Sequence, residues 1–215
     1  MSTEYDTKDA AYFSYPRGEI LSLLPHRFSK VIDIGGGSGA TLDLIKSRFP
    51  QTSTICADNQ KFALERAARS GHWTVSCNLE QGVPPEIAEC DVVLCLDVLE
   101  HLLDPWSVLA AIRELMPSGA TVIVSLPNVR FLSVSADLLF RGRWELQDTG
   151  VLDRTHLRFF TRRSALALLD GAGFTLSRLE RKLGLGRRGK LLNFLTAGLF
   201  KDLLCVQILL GGVKP

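Results

Sequence analysis

With 215 residues, 46% of them hydrophobic and 22% charged, the chain is long enough for one well-buried α/β domain and too short for two, so it reads as a single domain over 1–215. Its 25 Lys and Arg against 23 Asp and Glu leave a formal charge of +2, which argues against a nucleic-acid partner. Cys56, Cys77, Cys90, Cys95 and Cys205 lie mostly in apolar runs without zinc-site spacing; as reduced core thiols, behind a polar and acidic start over 1–8, they predict a cytoplasmic protein.

In chain order, Ile20, Leu21, Leu23 and Leu24 ahead of Pro25 predict a helix over 12–24. It carries Arg17, either a solvated charge or a cation over a pocket mouth. Val31, Ile32 and Ile34 suit a strand buried on both faces, and Leu42, Ile45 and Phe49 recur at helical spacing. Between them stands Asp33-Ile34-Gly35-Gly36-Gly37-Ser38-Gly39-Ala40. Glycines there let the backbone turn sharply and approach a ligand, and the helix start behind them offers unpaired N–H groups, so the stretch predicts a nucleotide-type pocket. Gly35, Gly37 and Ala40 fit the relaxed dinucleotide fingerprint, with Asp58 about 20 residues on. Asp33, Gly35, Gly37 and Gly39 also fit D-x-G-x-G-x-G.

A strand over 52–57 ends at Asp58, where a carboxylate can accept both hydroxyl hydrogens of a ribose, and a helix over 59–70 is closed by Gly71. A strand over 73–77 runs into Asn78, placed to hydrogen-bond an adenine edge. A strand over 91–96 runs into Asp97-Val98-Leu99-Glu100-His101-Leu102. Asp104-Pro105 then reads as a cap and first-turn proline of a helix that Gly119 ends, and a fifth strand covers 120–126. Strand and helix alternate five times, which predicts a doubly wound, parallel sheet with ligands at the strand carboxyl ends. Asp58, Asn78, Leu96, Pro127 and Asn128 all fall at such ends.

The second half changes character. Residues 131–144 are aromatic and arginine-bearing, and 150–161 hold Asp153 and His156. Thr161 reads as the cap of a helix over 162–170, with Gly171 and Gly173 as its stop. Strands are predicted over 174–183 and 202–210, joined by a basic, glycine-rich connection over 184–190 and an apolar helix near 191–200. That helix either covers an acceptor pocket or touches a lipid surface. It does not span a bilayer, because Lys201 and Asp202 sit mid-way along 191–213 and would each cost about 2.5 to 3.5 kcal/mol at the bilayer centre. Between 130 and 163, seven arginines stand against four acidic residues, a surplus that either meets a phosphate or carboxylate on a substrate or faces water.

These motifs together resemble the class I S-adenosylmethionine (SAM) methyltransferases. More narrowly, the chain looks like the small bacterial group related to the ubiquinone-biosynthesis O-methyltransferases and often found with surface-polysaccharide genes. The carrying residues are the Arg17 region, Asp33-Ile34-Gly35-Gly36-Gly37-Ser38-Gly39, Asp58, Asp97-Val98-Leu99-Glu100-His101-Leu102, Leu126-Pro127-Asn128-Val129-Arg130 and Leu152-Asp153-Arg154-Thr155-His156-Leu157-Arg158-Phe159-Phe160-Thr161. The resemblance implies a mostly parallel seven-stranded sheet with an antiparallel last strand, and SAM as cofactor. It implies Arg17 at the SAM carboxylate, the turn of Asp33, Gly35, Gly37 and Gly39 at the methionine portion, Asp58 at the ribose, Asn78 at the adenine and Leu96 on the cofactor face. Gly36, where relatives commonly carry cysteine, and Asn78, where many carry aspartate, depart from the pattern; Gly36 is expected to be permissive.

The implied reaction is an in-line methyl displacement, for which His156 and His101 are the candidate bases, with Asp153 three residues before His156 to orient it. A structural hydrogen bond is the competing role for His156. In some quinone-modifying relatives the positions of Asp97, Glu100 and His101 are linked to a divalent ion; no metal is assigned here. The expected acceptor is a small or lipid-linked molecule, with or without phosphate or sugar, methylated at oxygen, and 130–160 and 184–201 are the expected substrate-side segments. Two alternatives stand: a NAD(P)-dependent oxidoreductase, for which no Tyr-x-x-x-Lys pair is present, and a non-catalytic SAM-binding or scaffold protein.

Overall fold

A computed structural model describes residues 15–215. In chain order its strands are β1 (Lys30–Ile34), β2 (Ser53–Asp58), β3 (Trp73–Ser76), β4 (Val92–Leu96), β5 (Thr121–Pro127), β6 (Thr175–Leu183) and β7 (Cys205–Val213). Its α-helices are α1 (Ala40–Arg48), α2 (Lys61–Arg69), α3 (Pro105–Leu115), α4 (Leu132–Arg141), α5 (Arg162–Gly171), α6 (Gly186–Leu195) and α7 (Lys201–Leu204). The seven strands form one sheet in the order β3-β2-β1-β4-β5-β7-β6. β1 to β5 pair in parallel, while β7 lies antiparallel between β5 and β6. This is the mostly parallel, doubly wound sheet with one antiparallel strand, the last in the chain, that the motifs imply.

Strand alternation builds two cores from one sheet. In β4, Val92, Leu94 and Leu96 face one apolar cluster while Val93 and Cys95 face the other, and all five are buried. Leu42 and Ile45 of α1 and Ala67 of α2 close the first cluster; Leu109 and Ile112 of α3 and Leu168 and Leu169 of α5 close the second. Both faces are thus covered, as a parallel sheet of continuous apolar strands requires. Chain order reverses between β1 and β4, and the crevice at their carboxyl ends is where a doubly wound sheet takes its ligand.

Local chemistry fixes several boundaries. Asp104 accepts from Ser107 N at 3.0 Å and Pro105 opens α3, while Thr161 and Ser164 form a reciprocal capping box on α5. Three boundaries differ from expectation. Of the helix expected over 12–24, residues 12–14 lie outside the described residues and the rest holds a five-residue 3-10 turn, Gly18–Ser22, entered without a side-chain cap. The strand expected from Asp202 starts at Cys205, because the Asp202 carboxylate is held by Arg162 Nε at 2.8 Å and Arg181 Nε at 2.9 Å within the short α7. The basic connection over 184–190 is largely helical: α6 begins at Gly186 and ends at Leu195.

Candidate active site

The glycine turn after β1 is held by backbone. Gly35 N and Gly36 N both donate to Ala57 O of β2, at 2.7 and 3.3 Å, and Gly39 N returns to Gly36 O at 3.0 Å. Gly35, Gly37 and Gly39 have φ of +70°, +54° and +83°, the left-handed region that side chains rarely adopt. Space is restricted as well: a Cβ on Gly35 would collide with Val98 Cγ2, and one on Gly39 would lie 2.7 Å from the His72 ring. At Gly36 an added Cβ would stand 2.9 Å from Cys56 Sγ and 3.1 Å from Asp33 Cβ, so a side chain there needs its neighbours to shift.

Asp58, buried at the end of β2, links this turn to the next helix. Its carboxylate accepts from Gly37 N at 3.0 Å and from Gln60 N at 2.8 Å. Burial raises its pKa, and backbone donors from Gln60, Gly37 and Asn59 oppose that rise. Buried Asp33 is pushed up to about 7, first by burial and then by the neighbouring Asp58, with Arg17 pulling the other way.

Across the crevice, Asp97 follows β4 with φ of +55°, a strained setting for a non-glycine residue. Its carboxylate accepts from Arg17, from Ser125 Oγ at 2.6 Å and from Gln207 Nε2. Arg17 also reaches Gln207 Oε1 at 3.3 Å, and its backbone N donates to Thr41 Oγ1 of α1 at 3.2 Å. The guanidinium therefore stands over the crevice, anchored by Asp97. Leu96 closes the buried end of β4. Asn78 lies exposed beyond β3, its Oδ1 accepting Glu80 N at 3.1 Å in a local turn that leaves its amide N–H groups as donors.

The loop over 151–159 brings the two histidines together. Leu157 N and Arg158 N both donate to Glu100 O, at 2.8 and 2.9 Å, and the His101 and His156 ring centroids lie 4.8 Å apart. His101 Nδ1 is 3.0 Å from Thr155 O, and His156 Nδ1 is 3.1 Å from Val151 O. A carbonyl can only accept, so each Nδ1 carries a proton, and His156 Nε2 lies 4.0 Å from Glu100 Oε1. Asp153 accepts from Thr155 N at 2.9 Å and Thr155 Oγ1 at 2.7 Å, and its carbonyl accepts from His156 N at 2.9 Å, so it shapes the turn that carries His156.

Glu100, His101 and His156 each offer one ligand atom, all within 4.8 Å of one another. A carboxylate and two imidazoles are donor types that fit a divalent transition ion. The grouping differs from Asp97, Glu100 and His101: Asp97 is engaged by Arg17, Ser125 and Gln207, and His156 supplies the third group. Ser125 and Gln207 have no motif in sequence; only the sheet order brings Gln207, 110 positions from Asp97, into the site.

Residues 9–179 match the family described as methyltransferase domain. The ubiquinone biosynthesis O-methyltransferase of Stutzerimonas stutzeri is 28% identical over 167 residues, covering 71% of this chain and 70% of its own. The malonyl-[acyl-carrier protein] O-methyltransferase of Xylella fastidiosa is 31% identical over 113 residues, covering 50% and 38%. Among solved structures, a SAM-dependent methyltransferase of Thermotoga maritima, described as a possible histamine N-methyltransferase, superposes with a TM-score of 0.66 at 16% identity, over 95% of this chain and 89% of its own.

Proposed function

Since the chain belongs to the methyltransferase-domain family and uses SAM as methyl donor, we propose that it methylates a hydroxyl oxygen of a small or lipid-linked acceptor, with His156 as the general base. The observation that carries this is the pair of imidazoles at the carboxyl edge, their ring centroids 4.8 Å apart and each Nδ1 tied to a backbone carbonyl. The two relatives named above are O-methyltransferases, which supports oxygen as the accepting atom. Family membership removes the oxidoreductase reading.

When bound, SAM supplies an electrophilic methyl on a sulfonium: an O–C bond forms, the C–S bond breaks, and S-adenosylhomocysteine leaves. The glycine turn holds the methionine portion, Asp58 the ribose, Arg17 the carboxylate, Asn78 the adenine and Leu96 the cofactor face. His156 Nε2 takes the hydroxyl proton, and His101 beside it is the second base. An imidazole suits this near neutral pH. Segments 130–160 and 184–201 surround the acceptor side. The test is transfer of labelled methyl from SAM to a panel of phenols, quinols and hydroxylated lipids. His156→Gln should lower kcat by roughly 100-fold or more while leaving S-adenosylhomocysteine affinity unchanged. Binding of that product without transfer to any acceptor would favour the non-catalytic alternative.

The Glu100, His101 and His156 cluster supports a metal-assisted form of the same transfer. An ion held there would lower the pKa of the acceptor hydroxyl. Activity should then fall on chelation and return with the ion, and a mutant lacking Glu100 should not recover.

A further inference from the structure

Two helices on the β5 and β6 side have almost no interior of their own. α4 buries none of its residues and leaves Leu139 and Phe140 exposed by 76% and 80%. α6 buries only Gly189, and it and the turn behind it leave Phe194 and Leu199 exposed by 80% and 79%, beside exposed Leu191 and Leu195. Leucine and phenylalanine in such density at the surface mark an interaction face. The two elements share a root: a Cβ on Gly184, just ahead of α6, would lie 2.6 Å from the ring of Phe131, the N-cap of α4. That root lies where β5 and the parallel β6 both end, on the same sheet edge as the crevice.

Charge identifies the occupant. No acidic residue occurs between 181 and 201, while Arg187, Arg188 and Lys190 stand exposed in the first turns of α6. An apolar protrusion bordered by unopposed cations complements an anionic lipid surface, where aliphatic groups enter the acyl boundary and cations meet phosphate. Among the described residues no helix is long and apolar enough to cross a membrane, so such a face would lie on the bilayer. We propose that α4 and α6 form a docking face for an anionic phospholipid bilayer, turning the crevice edge toward the membrane. This stands independently of which acceptor is methylated.

The experiment is co-sedimentation of the full chain with vesicles of equal parts phosphatidylcholine and phosphatidylglycerol, and with phosphatidylcholine alone. Binding is expected to the mixed vesicles and to fall with salt. The triple variant Arg187→Gln, Arg188→Gln, Lys190→Gln should lose about fivefold in partitioning per charge, roughly 100-fold in all. Phe194→Ser with Leu195→Ser should weaken binding at every salt concentration, and Phe140→Ser provides an independent variant on the other helix. S-adenosylhomocysteine affinity, unchanged in each, verifies folding. No sedimentation of the wild type, equal binding to both vesicle types, or binding untouched by these variants would overturn the proposal. A concentration-dependent dimer abolished by Phe194→Ser, without vesicle binding, would assign the face to a second copy instead.

Discussion

Around β1 and β2 the carboxyl edge is made of backbone, with Gly35, Gly36 and Gly37 donating to Ala57 O and Asp58. Around β5 and β6 the same edge is made of side chains that meet water, Phe140 on α4 and Phe194 on α6. The first region tolerates almost no added atom, and the second carries large residues whose removal disturbs no core. A turn closed by backbone hydrogen bonds and left-handed glycines leaves its geometry little room to vary. A surface built from such exposed side chains can change without unfolding the sheet.

The comparison is broken most directly at Gly35. Gly35→Ala combines a left-handed φ, roughly 1 to 2 kcal/mol, with a collision against Val98, for a total loss of about 3 kcal/mol by denaturant unfolding. Adding Val98→Ala should relieve the collision and leave the backbone strain. Asp58→Ala removes the acceptor for Gly37 N and Gln60 N and should weaken S-adenosylhomocysteine binding by roughly 100-fold in calorimetry, about 2.7 kcal/mol.

Asp33 sharpens the contrast through pH. Its folded pKa of about 7 lies above its ordinary value of 3.8, so the folded chain holds this proton more tightly than the unfolded chain. The stabilisation is fully present below the ordinary value and is lost as pH rises through about 7, at a slope of up to about 1.4 kcal/mol per pH unit. The stability difference between wild type and Asp33→Asn, from denaturation at a series of pH values, should therefore shrink or reverse toward alkaline pH; a flat difference would count against a raised pKa. Gln207→Ala removes a donor to Asp97 and an acceptor of Arg17, and should cost about 1 kcal/mol in SAM affinity while leaving the sheet intact. Phe194→Ser, at the other extreme, should change unfolding stability by no more than about 0.5 kcal/mol.

Features written in consecutive residues were legible in the sequence. The apolar run, glycines and helical spacing from Val31 to Phe49 specify strand, turn and helix without outside help, and Asp104 and Thr161 announce their helices because a cap bonds within three residues. The placement of Asp58 at a strand end was legible for the same reason. Contacts made across the sheet were not. The hold of Gln207 and Ser125 on Asp97 depends on which strand inserts beside β5, and the meeting of His101 with His156 depends on two backbone bonds to Glu100 O. α4 was hidden because Ser133, Val134 and Ser135 are weak helix formers, and the start of α6 because Gly186 and Gly189 resemble a loop.

The position of β7 has a consequence for how damage would spread through the sheet. It slots antiparallel between β5 and β6 and brings Gln207 to Asp97, so the hydrogen bonding around a carboxylate at the end of β4 is completed by a strand two places away. Lost pairing along β7 would thus reach Asp97 and its bond to Arg17 while leaving the glycine turn and Asp58 untouched.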